Sequence, residues 1–260
     1  MFHYTFPSLM LFLTLELGTT QDTTSRVDQA RTVVELLNMC IDGRNHKSQP
    51  GEESSLMSFC SPWKKRSCCT QEIAERMHLD RNWLNFDWNH CGELSPSCRE
   101  FFVKDLCFYE CSPNLGPWIV PDRRKIRSER FVGVPLCQTE CNNWWSACKN
   151  DYTCLDNWAN NFNWSTGINT CPTGRTCQKF TNIFGTAERF CQGVWNDSFK
   201  VVPDGDDCFR LWFSADEPNP NDAVARKYAE QLLGTSHSAH FRSGGNLILF
   251  ALFLCWFLDW

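Results

Sequence analysis

Apolar positions recur at helical spacing over several stretches and seldom alternate, so helices dominate the expected elements. Val34, Leu37 and Ile41 form one stripe, predicting a first helix from Arg31 to Gly43. Lys47 to Glu53 is polar and holds Pro50-Gly51, a loop. Ser95-Pro96 supplies an N-cap and a first-turn proline for a second helix. That helix carries Cys98, Phe101, Phe102, Asp105 and Tyr109, and Ser112-Pro113 ends it. A third opens at Val134-Pro135 and carries Cys137, Cys141, Trp144 and Cys148. A fourth runs from the N-cap Thr186 to Phe199, with Cys191, Trp195 and Ser198 on one face at i, i+4 and i+7. The last spans Asn221 to Leu233, with Gly234 as its stop. Strand signals are short, such as Phe131 to Val134. Long loops separate these elements: an aromatic one from Phe86 to Gly92, a basic one from Asp122 to Arg130, and an Asn-rich aromatic one from Trp158 to Thr170. The expected class is α+β, mostly helices with short strands and long loops, in a single globular domain.

Both ends carry processing signals. Phe6 to Leu17 is a short apolar run followed by Gly18-Thr19-Thr20, a secretory leader over residues 1–20. Leu247 to Leu258 is apolar but shorter than the roughly 20 residues of a membrane-spanning helix. Small residues and a polar spacer precede it, the pattern of a GPI-anchor signal over 237–260, with attachment near Ser236 or Ser238. The mature domain is then 21–236, on the extracellular face of the plasma membrane.

Seventeen cysteines change the picture. Cys255 falls in the removed tail, which leaves sixteen from Cys40 to Cys208 and implies eight disulfides in an oxidising compartment. Adjacent Cys68 and Cys69 rarely pair with each other, so this segment is bridged in two directions. No CxxC or HxxxH pair supports a zinc site. A net charge of −5 argues against nucleic acid as a partner. Asn163-Trp164-Ser165 and Asn196-Asp197-Ser198 are glycosylation sequons. Twelve tryptophans exceed what the core of one small domain needs and hint at an aromatic-lined pocket.

The second helix ends in the run from Asp105 to Trp118. Four helical residues advance about 400°, so Cys107 and Cys111 share a face, and Asp105 and Tyr109 lie roughly 160–200° away from it. One side would be stapled to the protein, and the other would offer an acid and a phenol. A surface Asp and a core Tyr fit the same spacing. The chain contains no GxSxG, HExxH or phosphate-loop motif, and oxidised cysteines make poor nucleophiles, so binding fits better than catalysis. A buried carboxylate needs a donor partner. A flat heteroaromatic ligand with amino and ring N–H groups would satisfy it, between aromatic rings such as Tyr109 and Trp195 and beside guanidinium groups of the basic loop.

The run Cys107 to Trp118 resembles the hallmark of the folate receptor family. So do Glu35-Leu36-Leu37-Asn38, Trp88-Asn89-His90-Cys91-Gly92-Glu93, Val134-Pro135-Leu136-Cys137 and Asn219-Pro220-Asn221. The resemblance covers about Glu35 to Tyr228. It implies the bridges Cys40–Cys68, Cys60–Cys107, Cys69–Cys111, Cys91–Cys177, Cys98–Cys148, Cys137–Cys208, Cys141–Cys191 and Cys154–Cys171. It also implies a pterin ring stacked between Tyr109 and Trp195, with Asp105 on its amino group. Arg127, Arg130 and Ser198 complete the polar contacts, Trp158 flanks the ligand's middle, and Trp164 meets its glutamate end.

Three positions depart from the family pattern. Leu84 replaces a Tyr, with Trp83 next door; Ile126 replaces a Trp; and Ala159-Asn160-Asn161-Phe162 replaces His-Lys-Gly-Trp, with loss of a cation. The function implied is a receptor, not an enzyme. It captures folic acid and reduced folates as transported ligands, needs no cofactor, and carries them into endosomes. The alternative within the family is an egg-surface adhesion receptor for sperm, with a protein partner and no folate binding. Asn196 lies close to the inferred ligand residue Ser198, and on a continuous helix it would point roughly 160–200° away.

Overall fold

The computed structural model describes residues 25–56, 60–80, 82–125 and 127–234. The leader, the anchor signal with its attachment residue, and Ile126 lie outside the described residues. Eight helices and three two-stranded sheets are described. The helices are α1 (Arg26–Gln29), α2 (Val33–Leu37), α3 (Gln71–Leu79), α4 (Pro96–Cys111), α5 (Gln138–Cys148), α6 (Phe180–Phe184), α7 (Ala187–Gly193) and α8 (221–234). The strands pair as β1 (Ile119–Arg124) with β2 (Arg127–Phe131), antiparallel; β3 (Val134–Cys137) with β6 (Phe199–Val202), parallel; and β4 (Tyr152–Thr153) with β5 (Gln178–Lys179), antiparallel. This is the expected mixture of helices, short strands and long loops in one domain.

α4 is the central element. The Ser95 hydroxyl accepts from Cys98 N–H, and Pro96 takes the first helical position, where no amide hydrogen is needed. The helix stops where Ser112 turns extended ahead of Pro113. Its disulfides to Cys60 and Cys69 fix one face of its C-terminal half to the Cys60–Cys69 segment, and the Cys98–Cys148 bond ties its first turn to α5. All eight bonds match the pairing implied by resemblance. Cys68 and Cys69 go to Cys40 and Cys111, two different directions as expected.

An aromatic core lies around α4. Phe102 stacks on Trp158 with centroids 4.9 Å apart and rings 11° from parallel, and meets Trp144 edge-on at 5.2 Å. Phe108 packs against Phe131, Phe199 and Phe209. Gly116 lets the segment after α4 pass against α2: a Cβ there would lie 1.8 Å from the Leu36 carbonyl oxygen.

The structure corrects several element boundaries. The first helix is only α2, because the Asn38 side chain turns back to the Val34 carbonyl and Arg66 donates to the Leu37 carbonyl, which closes the helix before Cys40. The basic stretch 122–130 is a hairpin rather than a loop. Val134–Cys137 is a strand on β6, so the third helix starts at Gln138. The fourth helix ends at Gly193, and Asn196 (φ 54°) and Asp197 (φ 60°) turn the chain into β6. Cys191, Trp195 and Ser198 therefore do not share a helical face. The helices α1, α3 and α6 have no counterpart among the expected elements, and Thr70 caps α3. The final helix lies where expected.

Candidate ligand-binding site

α4, the β1–β2 hairpin, the turn after α7 and two aromatic loops surround a partly open cavity of about 160 Å³. All eight residues inferred from the sequence line it: Asp105 and Tyr109 from α4, Arg127 and Arg130 from β2, Trp158 and Trp164 from the Asn-rich loop, and Trp195 and Ser198 from the turn before β6. The cysteine face of α4 is buried in disulfides and the opposite face is the cavity wall, as the helical spacing required.

Asp105 is 4% exposed. Its Oδ2 accepts from Trp195 Nε1 at 2.7 Å. Burial pushes the carboxyl up to about 7, and the Trp195 N–H works against that rise by favouring the charged form. The Trp195 turn is itself pinned. Ser198 Oγ donates to the Trp195 carbonyl at 2.9 Å, and Arg130 Nη1 donates to the Asn196 carbonyl at 2.8 Å and the Trp195 carbonyl at 3.4 Å. Burial lowers the Arg130 guanidinium from its ordinary value.

On the hairpin, Arg127 donates from Nε to Asp122 Oδ2 at 2.8 Å and from Nη1 to the Tyr109 hydroxyl at 3.3 Å, and its guanidinium stands 5.8 Å from the Tyr109 ring centroid. Burial raises the Tyr109 hydroxyl, with Arg127 opposing. Burial also raises the Asp122 carboxyl, but the charges and hydrogen bonds of Arg127 and Arg124 outweigh it and hold the group below its ordinary value. Trp158 is fully buried, with Nε1 donating to Thr153 Oγ1 at 2.9 Å and to the Leu155 carbonyl at 3.2 Å. Trp164 is 42% exposed, an aromatic surface on the cavity wall that solvent still reaches.

Leu84 and Ala159 line the cavity, so two of the three departures from the family pattern fall on its wall. Several lining residues were missed: Trp83, Phe86, Trp88, Leu106, Phe131 and Arg124. Arg124 donates from Nη1 to the Ala159 carbonyl at 2.6 Å and from Nη2 to Asn160 Oδ1 at 2.5 Å, joining the hairpin to the Asn-rich loop. Strand register would have found it, since Arg124 is the pairing partner of Arg127. The Asn196 side chain does not follow helical arithmetic. Its Oδ1 accepts from Asn157 Nδ2 at 2.8 Å, and the residue lines a separate polar cleft with Asp156, Gln192 and Asp197. Asn163 is exposed.

Among the described residues, the groups with metal-like spacing consist largely of disulfide sulfurs, such as Cys60 and Cys107 beside His78, and these offer no thiolate. No helix of the described residues is long and apolar enough to cross a membrane.

A sequence profile described as the Folate receptor family matches residues 39–210. Folate receptor gamma of Homo sapiens is 44% identical over 225 residues, covering 85% of this chain and 90% of that protein. Folate receptor alpha of Homo sapiens is 40% identical over 254 residues, covering 96% and 97%. A riboflavin-binding protein of Dromaius novaehollandiae is 34% identical over 194 residues, covering 73% and 75%.

Proposed function

The chain belongs to the folate receptor family, and on that premise we propose that it is a cell-surface receptor that binds folate in the cavity beside α4. The observation that carries this reading is Asp105, a buried carboxylate facing a cavity lined by aromatic rings and arginines. A buried carboxylate without a full set of donors is costly, and a pterin amino group with an adjacent ring N–H supplies two. Tyr109 and Trp195 would take the faces of the ring, and Ser198, Arg127 and Arg130 its oxygen and ring nitrogens. Trp158 and Trp164 would follow the ligand outward.

The anionic end of folate fits the charge of the outer wall. Arg124 and Arg127 share the single carboxylate Asp122, so the hairpin carries excess positive charge. Arg124 offers a guanidinium in a groove that lacks the family's lysine after Trp158. Folate is a transported ligand in this reading, and neither catalysis nor a cofactor is invoked. The protein is attached by a GPI anchor outside the plasma membrane and delivers its ligand by endocytosis, with glycans at Asn163 and Asn196.

Calorimetric titration of the secreted domain with folic acid tests the reading, with riboflavin as the second vitamin. Folic acid is expected to bind and riboflavin to fail as a competitor. Absence of heat and of competition by any folate would overturn the proposal and turn attention to the family's adhesion role.

A further inference from the structure

Glu110 is a buried carboxylate that the ligand contacts above leave unused. It follows Tyr109 on α4, so its side chain leaves the helix about 100° around from that residue. The side chain is wholly enclosed. Oε1 accepts from Trp83 Nε1 at 3.3 Å and from Asn45 Nδ2 at 3.4 Å. Oε2 makes no hydrogen bond and lies 3.4 Å from His46 Nε2. That nitrogen is 3.1 Å from the Tyr109 carbonyl, which only accepts, so Nε2 carries the proton. The His46 ring meets Tyr109 edge-on with centroids 5.3 Å apart. Gly43 leaves room for it, since a Cβ there would stand 2.9 Å from His46 Nδ1.

Trp83 is at the other end of this chain of contacts. It is buried and lines the ligand cavity. The Arg76 guanidinium stands over its ring, 5.5 Å from the centroid. The residues that follow, Leu84 (φ 58°) and Asn85 (φ 60°), adopt left-handed backbone without being glycine. Such conformations persist only where the surroundings over-determine them. The Trp83–Glu110 bond ties this strained turn to α4, the helix that carries Asp105 and Tyr109 into the cavity.

We infer that Glu110 is a positioning residue: acting through the Trp83 N–H, it fixes that indole as a wall of the ligand cavity and so sets ligand affinity from outside the cavity. His46 closes the far side of the carboxylate and ties the same group to the backbone of Tyr109. This inference rests on reading the cavity as the folate site.

The test uses the secreted domain with Glu110→Leu, Glu110→Gln, Trp83→Phe and the double variant Trp83→Phe/Glu110→Leu. Two quantities are read: folic acid affinity by calorimetry, and amide hydrogen exchange across residues 82–86 without ligand. Glu110→Leu is expected to weaken folate about tenfold and to speed exchange in that segment. Glu110→Gln keeps an oxygen acceptor and should stay within about twofold of the wild type. In the Trp83→Phe background, Glu110→Leu should add no further loss.

An equal loss in both backgrounds would mean that Glu110 serves the fold at large, and the inference would fall. Unchanged affinity and exchange in Glu110→Leu would also overturn it. If Glu110→Leu is not secreted, Trp83→Phe alone decides: it removes the donor and keeps a ring, and unchanged exchange and affinity reject the idea. If the wild type binds no folate, the ligand reading fails. The exchange measurement, which needs no ligand, then still accepts or rejects the Glu110–Trp83 tie.

Discussion

Replacing Asp105 with asparagine should make the empty protein more stable while destroying its binding site. The carboxyl is pushed from 3.8 up to about 7 by burial, so between those values the folded state holds a proton that the unfolded chain releases. Stability is therefore complete below the unfolded value and is lost as pH rises through the folded one. About three pH units at about 1.36 kcal/mol each amount to roughly 4 kcal/mol lost by neutral pH. In Asp105→Asn the side-chain amide keeps an oxygen for Trp195 Nε1 and carries no titrating group, so the loss disappears. Thermal melts at pH 4 and pH 7.4 check this: the variant should melt higher than the wild type at pH 7.4, and the difference should vanish at pH 4. Its folate affinity should fall at least about a hundredfold, the worth of two hydrogen bonds to a charged acceptor. For the wild type, binding that needs ionised Asp105 weakens as pH falls through about 7, roughly 70-fold between pH 7.4 and pH 5. Equal folate affinity at both pH values, or a variant that melts no higher than the wild type at pH 7.4, would refute the reasoning.

Three further outcomes follow from the same geometry. Trp195→Phe removes the N–H that favours ionised Asp105, so acid release of folate should shift to higher pH, read from affinity measured across pH 5–8. Arg124→Gln should weaken folic acid by about tenfold and leave pteroic acid, which lacks the glutamate tail, unchanged; parallel titrations show whether the guanidinium serves the ligand's anionic end. Gly116→Ala would force a Cβ to 1.8 Å from the Leu36 backbone oxygen and should cost about 3 kcal/mol or more, seen as loss of secreted protein.

Local chemistry was readable wherever it decided the outcome alone. Ser95-Pro96 starts α4, Ser112-Pro113 ends it, and four-residue spacing puts Cys107 and Cys111 opposite Asp105 and Tyr109. These rules act within a turn of chain and need no distant partner. The cysteine count announced eight bridges, but sixteen cysteines do not choose their own partners; the family resemblance supplied the pairing, and the fold holds each pair at bonding distance. The strands were harder, because Arg127–Phe131 reads as a charge run until Ile119–Arg124 pairs with it. Helical periodicity carried the fourth helix past Gly193, where the chain instead turns through Asn196 and Asp197 to pair Phe199 with Val134. Only the tertiary structure brought Trp83 and Arg124 to the cavity: residues from separate elements meet there through a hairpin register and a strained turn, and no single stretch of sequence encodes that meeting.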